Sequence, residues 1–372
     1  MTDWQHIATT ILLPFEQQIR ATPQSAEWHA EGDVYVHTQK VIDVLHGMSD
    51  FQALSSEQQH LLHIAALLHD IGKIQTTRWE DNDWHAPHHA PVGSRMTRKL
   101  LWKQYGLAGS AVLMQQREAV CLLIRYHSFP VHAIDLPDGR QRLLRIAADG
   151  LMTPLFSVRL LCLLSKADML GRECVDQQEA LEKIVLCEEM AKEEGCYEKP
   201  FPFRSAHLQR AFLSGRDVWK EQELYDDTWG EVILMSGLPG TGKDTWIARN
   251  ANDLPMVSLD AIRQEKRISP RANQGLVANI AREQAKTYLR AHQPFVWNAT
   301  NITQQMRESL VSLFESYRAH VHIVYLETEW DTLMERNNNR DEAVPTAEIE
   351  KMLAKLTPPE PREAKIVEWL YV

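Results

Sequence analysis

The stretch GLPGTGKDT, Gly237–Thr245, constrains this chain more than any other. It follows the apolar run EVILMSG and opens a stretch of helical character, KDTWIARNAN. Glycines at 237, 240 and 242 let backbone N–H groups face an anion, and Lys243 adds a cation beside them. Such a loop belongs between a strand and a helix N-terminus, so an α/β domain with a parallel sheet is predicted over 231–372. The runs PMVSLD, PFVWNATN and AHVHIVYLET agree, because helical stretches alternate with them in a βαβ pattern. The expected phosphate-binding residues are Gly237, Gly240, Thr241, Gly242, Lys243, Asp244 and Thr245.

Asp244 stands where such loops usually carry a hydroxyl for Mg²⁺, and the strand PFVWNATN ends in Asn298 where a carboxylate is usual. One reading has Asp244 supply the carboxylate to Mg²⁺, directly or through water, while Asn298 orients a Mg²⁺ water. The other has Asp244 simply favour the positive end of the helix. Thr245 is expected near the α-phosphate. Asp260, in SLDAIR, follows the second strand and so lies at the carboxyl end of the sheet, where α/β folds bind ligands. A carboxylate there can take the proton of an attacking hydroxyl, and Arg263 one turn later can hold an acceptor phosphate. Arg336 and Arg340, four apart in MERNNNRD, are predicted to share a helix face and to stabilise a transferring phosphoryl group.

The first 195 residues are helical in pattern, without a convincing strand. SSEQQHLLHIAALLHDIGKI opens with a helix-capping signature. Thirteen of the sixteen histidines precede residue 231, more than a helical domain needs for packing, which points to a metal. His69 and Asp70 are adjacent at the end of an apolar helix, about 100° apart around its axis and able to reach one ion. His37 precedes them; His89, His127 and Asp168 follow in HHAPVGS, RYHSFP and SKADMLGR. Imidazole with carboxylate suits first-row transition ions. His85, His88 and His132 are lesser candidates; His6, His29, His46, His60 and His63 are expected to be structural or exposed. YEKPFPF then breaks the pattern, and 196–230 is read as a helical linker containing a helix pair.

Net charge is −10, of which only −2 lies beyond residue 230. That argues against broad, non-specific nucleic-acid binding. A local strip between Arg263 and Arg290 carries seven basic and two acidic residues and suits a phosphate-bearing substrate. The five cysteines form no CxxC pair, so neither a zinc ribbon nor a disulfide framework is implied, and a reduced cytoplasm fits. The first twenty residues lack the pattern of a signal peptide.

The order H…HD…H…H…D, with HDIGK, HAPVGS and KADMLGR, resembles the HD phosphohydrolase superfamily. The resemblance implies an all-α domain over 1–195, with His37, His69, Asp70 and Asp168 around one metal. Asp70 would bridge to a second metal held by His89 and His127, and Lys73 would face the phosphate. GLPGTGKDT, SLDAIR, WNATN and the Arg336/Arg340 pair resemble the P-loop polynucleotide kinases. That likeness implies Asp260 as base toward a 5′-OH, Arg263 on the acceptor's phosphate and the arginines as lid; Asp244 departs from the pattern. Together the halves resemble the bacterial HD–polynucleotide kinase fusions, which heal RNA ends. The resemblance implies a 5′-OH kinase using ATP or another NTP with Mg²⁺, and a 2′,3′-cyclic phosphodiesterase using one or two transition ions. RNA, or DNA, ends would be the substrates, with a separate RNA ligase downstream. The alternative is an HD nucleotidase fused to a nucleoside or small-metabolite kinase. A guanosine-alarmone hydrolase is disfavoured by Gly72 and Lys73 after the HD pair, and an NTP-switched binding module by the full ligand set.

Overall fold

The computed structural model describes residues 2–268, 274–340 and 343–372, so Arg271 of the basic strip lies outside the described residues. The chain divides into two compact units, Met1–Pro202 and Phe203–Val372.

In the first unit, the helices Val34–Gly47, Ser56–Leu68, His89–Lys103, Ala111–Tyr126 and Val158–Gly171 carry every predicted metal ligand or end directly before one. Four of the five start on a side-chain cap: Asp33, Ser55, Ser110 and Ser157 each accept from a backbone N–H three residues on. At Ser55 the cap is reciprocal, with Gln58 reaching back to the Ser55 N–H, so two orphan donors are satisfied at once. Downstream, Leu61, Leu62, Ile64, Ala65 and Leu68 are buried and drive the Ser56–Leu68 helix into the core beside Val41, Leu123 and Leu164.

One feature departs from the all-helical expectation. Strands β1, Arg78–Glu80, and β2, Asp83–His85, form an antiparallel hairpin. Its turn residues Asp81 and Asn82 both have positive φ, 49° and 63°, the conformation a two-residue hairpin turn requires. Three-residue strands are too short to show the alternation that betrays a strand in sequence.

The second unit begins with one helix, Ala206–Leu213, rather than the helix pair expected in the linker. Arg210 ties it to Glu315 through two hydrogen bonds of 2.8 and 2.9 Å. The sheet comprises β3 (Glu231–Ser236), β4 (Met256–Ser258), β5 (Phe295–Asn298), β6 (His320–Glu327) and β7 (Ile366–Tyr371). Strand order is β4-β5-β3-β6-β7, all parallel. Val232 and Leu234 pack on one face, Ile233 and Met235 on the other, so β3 reads as an unbroken apolar run because both faces are covered. β3 lies between β5 and β6 and its successor β4 lies at the edge, which makes the carboxyl end of β3 the switch point where such sheets bind ligands. Among the described residues no helix is long and apolar enough to cross a membrane, and no disulfide joins the five cysteines.

Candidate functional site

Each unit holds one cluster of chemically capable side chains. In the first, His37 lies within its helix, His69 and Asp70 follow the end of Ser56–Leu68, His89 opens its helix, His127 follows Ala111–Tyr126, and Asp168 sits in the last turn of Val158–Gly171. The structure brings all six together. His37 Nε2 is 3.2 Å from His69 Nε2, 3.0 Å from Asp168 Oδ1 and 3.7 Å from Asp70 Oδ2. On the other side of Asp70, Oδ1 is 3.4 Å from His89 Nε2, which is 3.3 Å from His127 Nε2. Among the described residues three such groups occur: Asp70 is common to His37/His69/Asp70 and Asp70/His89/His127, and the third, His29/Glu31/His37, shares His37.

The imidazoles are turned inward by their outer nitrogens. His69, His89 and His127 direct Nδ1 to the carbonyls of Ala66, Ala86 and Ile124, at 2.8, 2.9 and 2.7 Å. His37 Nδ1 lies 2.9 Å from Glu31 Oε1 instead. Every Nε2 therefore faces the same space, as metal ligation needs. Both Asp70 oxygens are buried with no aligned hydrogen-bond donor, although Lys73 Nζ stands 2.8 Å from Oδ2 as an ion pair. Orphaned buried carboxylate oxygens among inward imidazole nitrogens fit a divalent cation. His37, His69, Asp70 and Asp168 would hold one ion, and Asp70, His89 and His127 a second.

Electrostatics hold the two aspartates ionised and His127 neutral, while Asp70 and Asp168 raise His69 against burial. Burial works to raise the Asp70 carboxyl, but Lys73 and His69 hold it well below the usual range. Asp168 is held down likewise, against burial, by Arg172, which bonds it at 2.6 and 3.0 Å. His127 is pushed down to about 3 by burial, with His89 and His69 adding to it, so it is a neutral ligand.

Lys73 is buried, and its ammonium is shared among Asp70, Gln24 Oε1 at 2.6 Å and His29 Nε2 at 3.3 Å. His29, expected to be merely structural, thus belongs to the site: its Nδ1 bonds Glu31, which also backs His37. The sequence signal for Glu31 and His29 is faint, since both lie upstream of the first motif histidine. Gly72 explains itself in the same geometry. A Cβ there would lie 2.0 Å from the His89 carbonyl oxygen, so glycine lets the HD turn close against the His89 helix. His85, His88 and His132 are exposed and join neither ligand group.

In the second unit the loop after β3 is built as expected. Gly237, Gly240 and Gly242 have φ of 142°, 83° and 86°, and Cβ atoms on the first two would meet carbonyl oxygens at 2.5 and 2.9 Å. Thr241 is buried and bonds the Leu238 carbonyl; Thr245 is exposed. Lys243 Nζ is folded onto the carbonyls of Gly237 and Leu238 at 3.0 and 2.8 Å, and burial of this ammonium depresses it to about 8. The side chain as a whole is only partly covered, but its charged end lies under the loop. Asp244 Oδ1 accepts a 2.7 Å hydrogen bond from Asn298 Nδ2, so the two residues exchanged relative to the usual pattern meet at the end of β5. Ser258, opposite Asn298 in the sheet, caps the helix Leu259–Lys266 that carries Asp260 and Arg263. Asp260 is exposed and paired with Arg263 at 2.7 Å. Arg336 Nη1 would lie 3.7 Å from a Cβ on Gly242, and the charge of Arg340 bears on Lys243. The helix Trp330–Asn338 stops before Arg340, so the two arginines do not share a helix face as predicted. Asn337 turns the chain there by bonding both N–H and C=O of Val344.

Comparison with known proteins matches the two clusters to two families. The HD domain family matches residues 34–153, and the AAA domain family matches residues 232–359. Asp168 lies beyond the first match and joins its cluster by geometry. Solved structures similar to the chain include a candidate kinase from Chloroflexus aurantiacus, 17% identical, over 39% of this chain and 86% of that one, with a TM-score of 0.34. Another is an unliganded sugar kinase from Janibacter, 18% identical, over 39% and 85%, with a TM-score of 0.30.

Proposed function

We propose that this fusion of an HD domain with a P-loop kinase-like domain is an RNA end-healing enzyme. One half is a 5′-hydroxyl polynucleotide kinase using ATP or another NTP with Mg²⁺. The other is a metal-dependent 2′,3′-cyclic phosphodiesterase. The observation that carries the reading is the presence, in one chain, of a four-histidine, two-aspartate cluster, buried except for a part-exposed His89, and a fully formed phosphate loop. Many ribonucleases leave a 5′-OH on one fragment and a cyclic phosphate on the other, and a separate RNA ligase needs both corrected.

In the kinase, the 5′-oxygen attacks the γ-phosphorus and the bond to the β-phosphate oxygen breaks. Asp260 takes the hydroxyl proton, Arg263 holds the acceptor, and Lys243 with Arg336 and Arg340 offsets charge on the phosphoryl group. Asp244, bonded by Asn298, would offer a carboxylate to Mg²⁺. In the HD half, water adds across one P–O bond of the cyclic diester, leaving a phosphomonoester and a free hydroxyl. Divalent ions, when bound, supply Lewis acidity and a hydroxide near neutral pH. Asp70 and Asp168 remain ionised, and Lys73 offers a cation beside the phosphate.

The test uses one RNA oligonucleotide with a 5′-OH and a 2′,3′-cyclic phosphate, incubated with ATP and either Mg²⁺ or a transition metal, with both ends resolved by mass. Gain of a 5′-phosphate, lost in Lys243→Ala, and opening of the cyclic phosphate, lost in Asp70→Ala, are expected. Unchanged ends with turnover of free nucleosides and nucleotides would replace this reading by the small-metabolite one.

A further inference from the structure

The β1–β2 hairpin carries two tryptophans that do no work in the core. Trp79 is 54% exposed and Trp84 36% exposed. They are cross-strand partners, with ring centroids 5.1 Å apart and planes at 68°. Such a pair stabilises a short hairpin, yet leaves aromatic surface turned to solvent.

The hairpin is fixed to the phosphohydrolase cluster at three points. Its first strand begins two residues after the short helix Lys73–Thr76, whose Lys73 pairs with Asp70. Its second strand ends four residues before His89. On the hairpin face opposite the tryptophans, Asp83 accepts a hydrogen bond from the buried Ser25, the neighbour of Gln24, which bonds Lys73. Trp84 is five residues from His89, so their backbones lie within about 18 Å of one another.

We propose that Trp79 and Trp84 form a stacking platform for the bases of a single-stranded RNA whose 3′ end enters the Asp70 pocket. This rests on the RNA-end reading above. Every base has a π-face, so stacking holds any sequence, as an end-healing enzyme needs. The net charge of −10 gives phosphates little general attraction, which leaves stacking as the means of holding the strand. Arg78 and His85, partners on the opposite face, take no part in the platform, and Arg78 is paired with Glu80 at 3.0 Å.

The test compares wild type with a Trp79→Leu/Trp84→Leu variant, which keeps an apolar cross-strand pair, and a Trp79→Phe/Trp84→Phe variant, which keeps π-faces. Each is given a 2′,3′-cyclic mononucleotide and a ten-nucleotide RNA ending in a 2′,3′-cyclic phosphate. The ratio of kcat/KM for the oligonucleotide over the mononucleotide is expected to fall about ten-fold in the leucine variant and to be largely restored by phenylalanine. An unchanged ratio, or an equal loss with leucine and phenylalanine, overturns the proposal. Binding of a labelled ten-nucleotide RNA with an inert 3′-OH is read by anisotropy at low and high salt. Affinity lost in the leucine variant at both salts supports the platform even if wild type opens no cyclic phosphate, the outcome that sinks the end-healing reading alone. Affinity equal in wild type and the leucine variant removes the platform whatever the catalysis.

Discussion

The Glu31 side chain is covered between two histidines, accepting from His29 Nδ1 at 2.8 Å and lying 2.9 Å from His37 Nδ1, and it also accepts the Glu173 N–H at 2.9 Å. An anion behind a ligating imidazole fixes its tautomer and strengthens its donation. Glu31→Gln keeps the shape and removes the charge, so metal affinity measured by chelator competition is expected to fall ~10–100-fold, with kinase turnover unchanged. Equal affinity in both proteins would show that Glu31 only fills space. The pH response of Lys243 is equally specific. Burial depresses it to about 8, with Asp244 opposing and Arg340 adding to the shift. The free loop therefore loses its cation as pH rises through 8, rather than near the usual lysine value of about 10.4. Affinity for ATP, read by calorimetry, is expected to decline above pH 8, and binding at pH 8.5 to take up protons from the buffer. Affinity flat to pH 9.5 would contradict this. The six side chains that cluster around Asp70 were named from sequence because HDIGK, HAPVGS and KADMLGR resemble the HD phosphohydrolases and the order H…HD…H…H…D supplied His37 and His127. Glu31 and His29 were not, because their roles depend on a loop folding back over Lys73.

Elements set the tolerances of both sites. Gly72 lies where a helix end meets the start of another, and a Cβ there would sit 2.0 Å from backbone oxygen and 2.7 Å from the Gly93 nitrogen. Neither neighbour is a flexible side chain, so Gly72→Ala must push the HD turn away from His89. A melting temperature lowered by several degrees is expected, with loss of the phosphodiesterase activity proposed above. By contrast, Ser55→Ala removes a cap at the far end of the same helix and is expected to cost about 1 kcal/mol, read by urea unfolding, while the metal site survives. In the other unit, Asp244→Asn tests the helix residue that meets Asn298 at the end of β5. A raised Mg²⁺ requirement for kinase turnover is expected; an unchanged one would mean that Asp244 serves only the helix end. Strands β3 to β6 were legible because each is an apolar run beside a turn. β7 was not, as IVEWLY is only half-buried and its register against β6 is set by non-local pairing. The hairpin was missed for the opposite reason: its pairing is local, but too short to show a period.

At the scale of the whole molecule, two compact units divide the chain at Pro202/Phe203. Each has its own core, so residues 1–202 and 203–372 expressed separately are expected to fold, shown by cooperative unfolding of each piece. The change from histidine-rich helical pattern to βαβ grammar announced two domains. It did not announce that the Ala206–Leu213 helix would be bound to the second, since Arg210 and Glu315 are 105 residues apart. His69 and His127 stand directly after their helices and hydrogen-bond carbonyls of the last turn, at Ala66 and Ile124, so the bond that finishes each helix also aims the ligand. The chain's own helix ends thus hold the coordinating nitrogens in readiness before any ion arrives. Ion and scaffold are therefore expected to be separable, unlike in a zinc finger, which collapses when stripped. A chelator should leave a folded, silent domain that regains its activity within the time an ion takes to diffuse in, without any refolding.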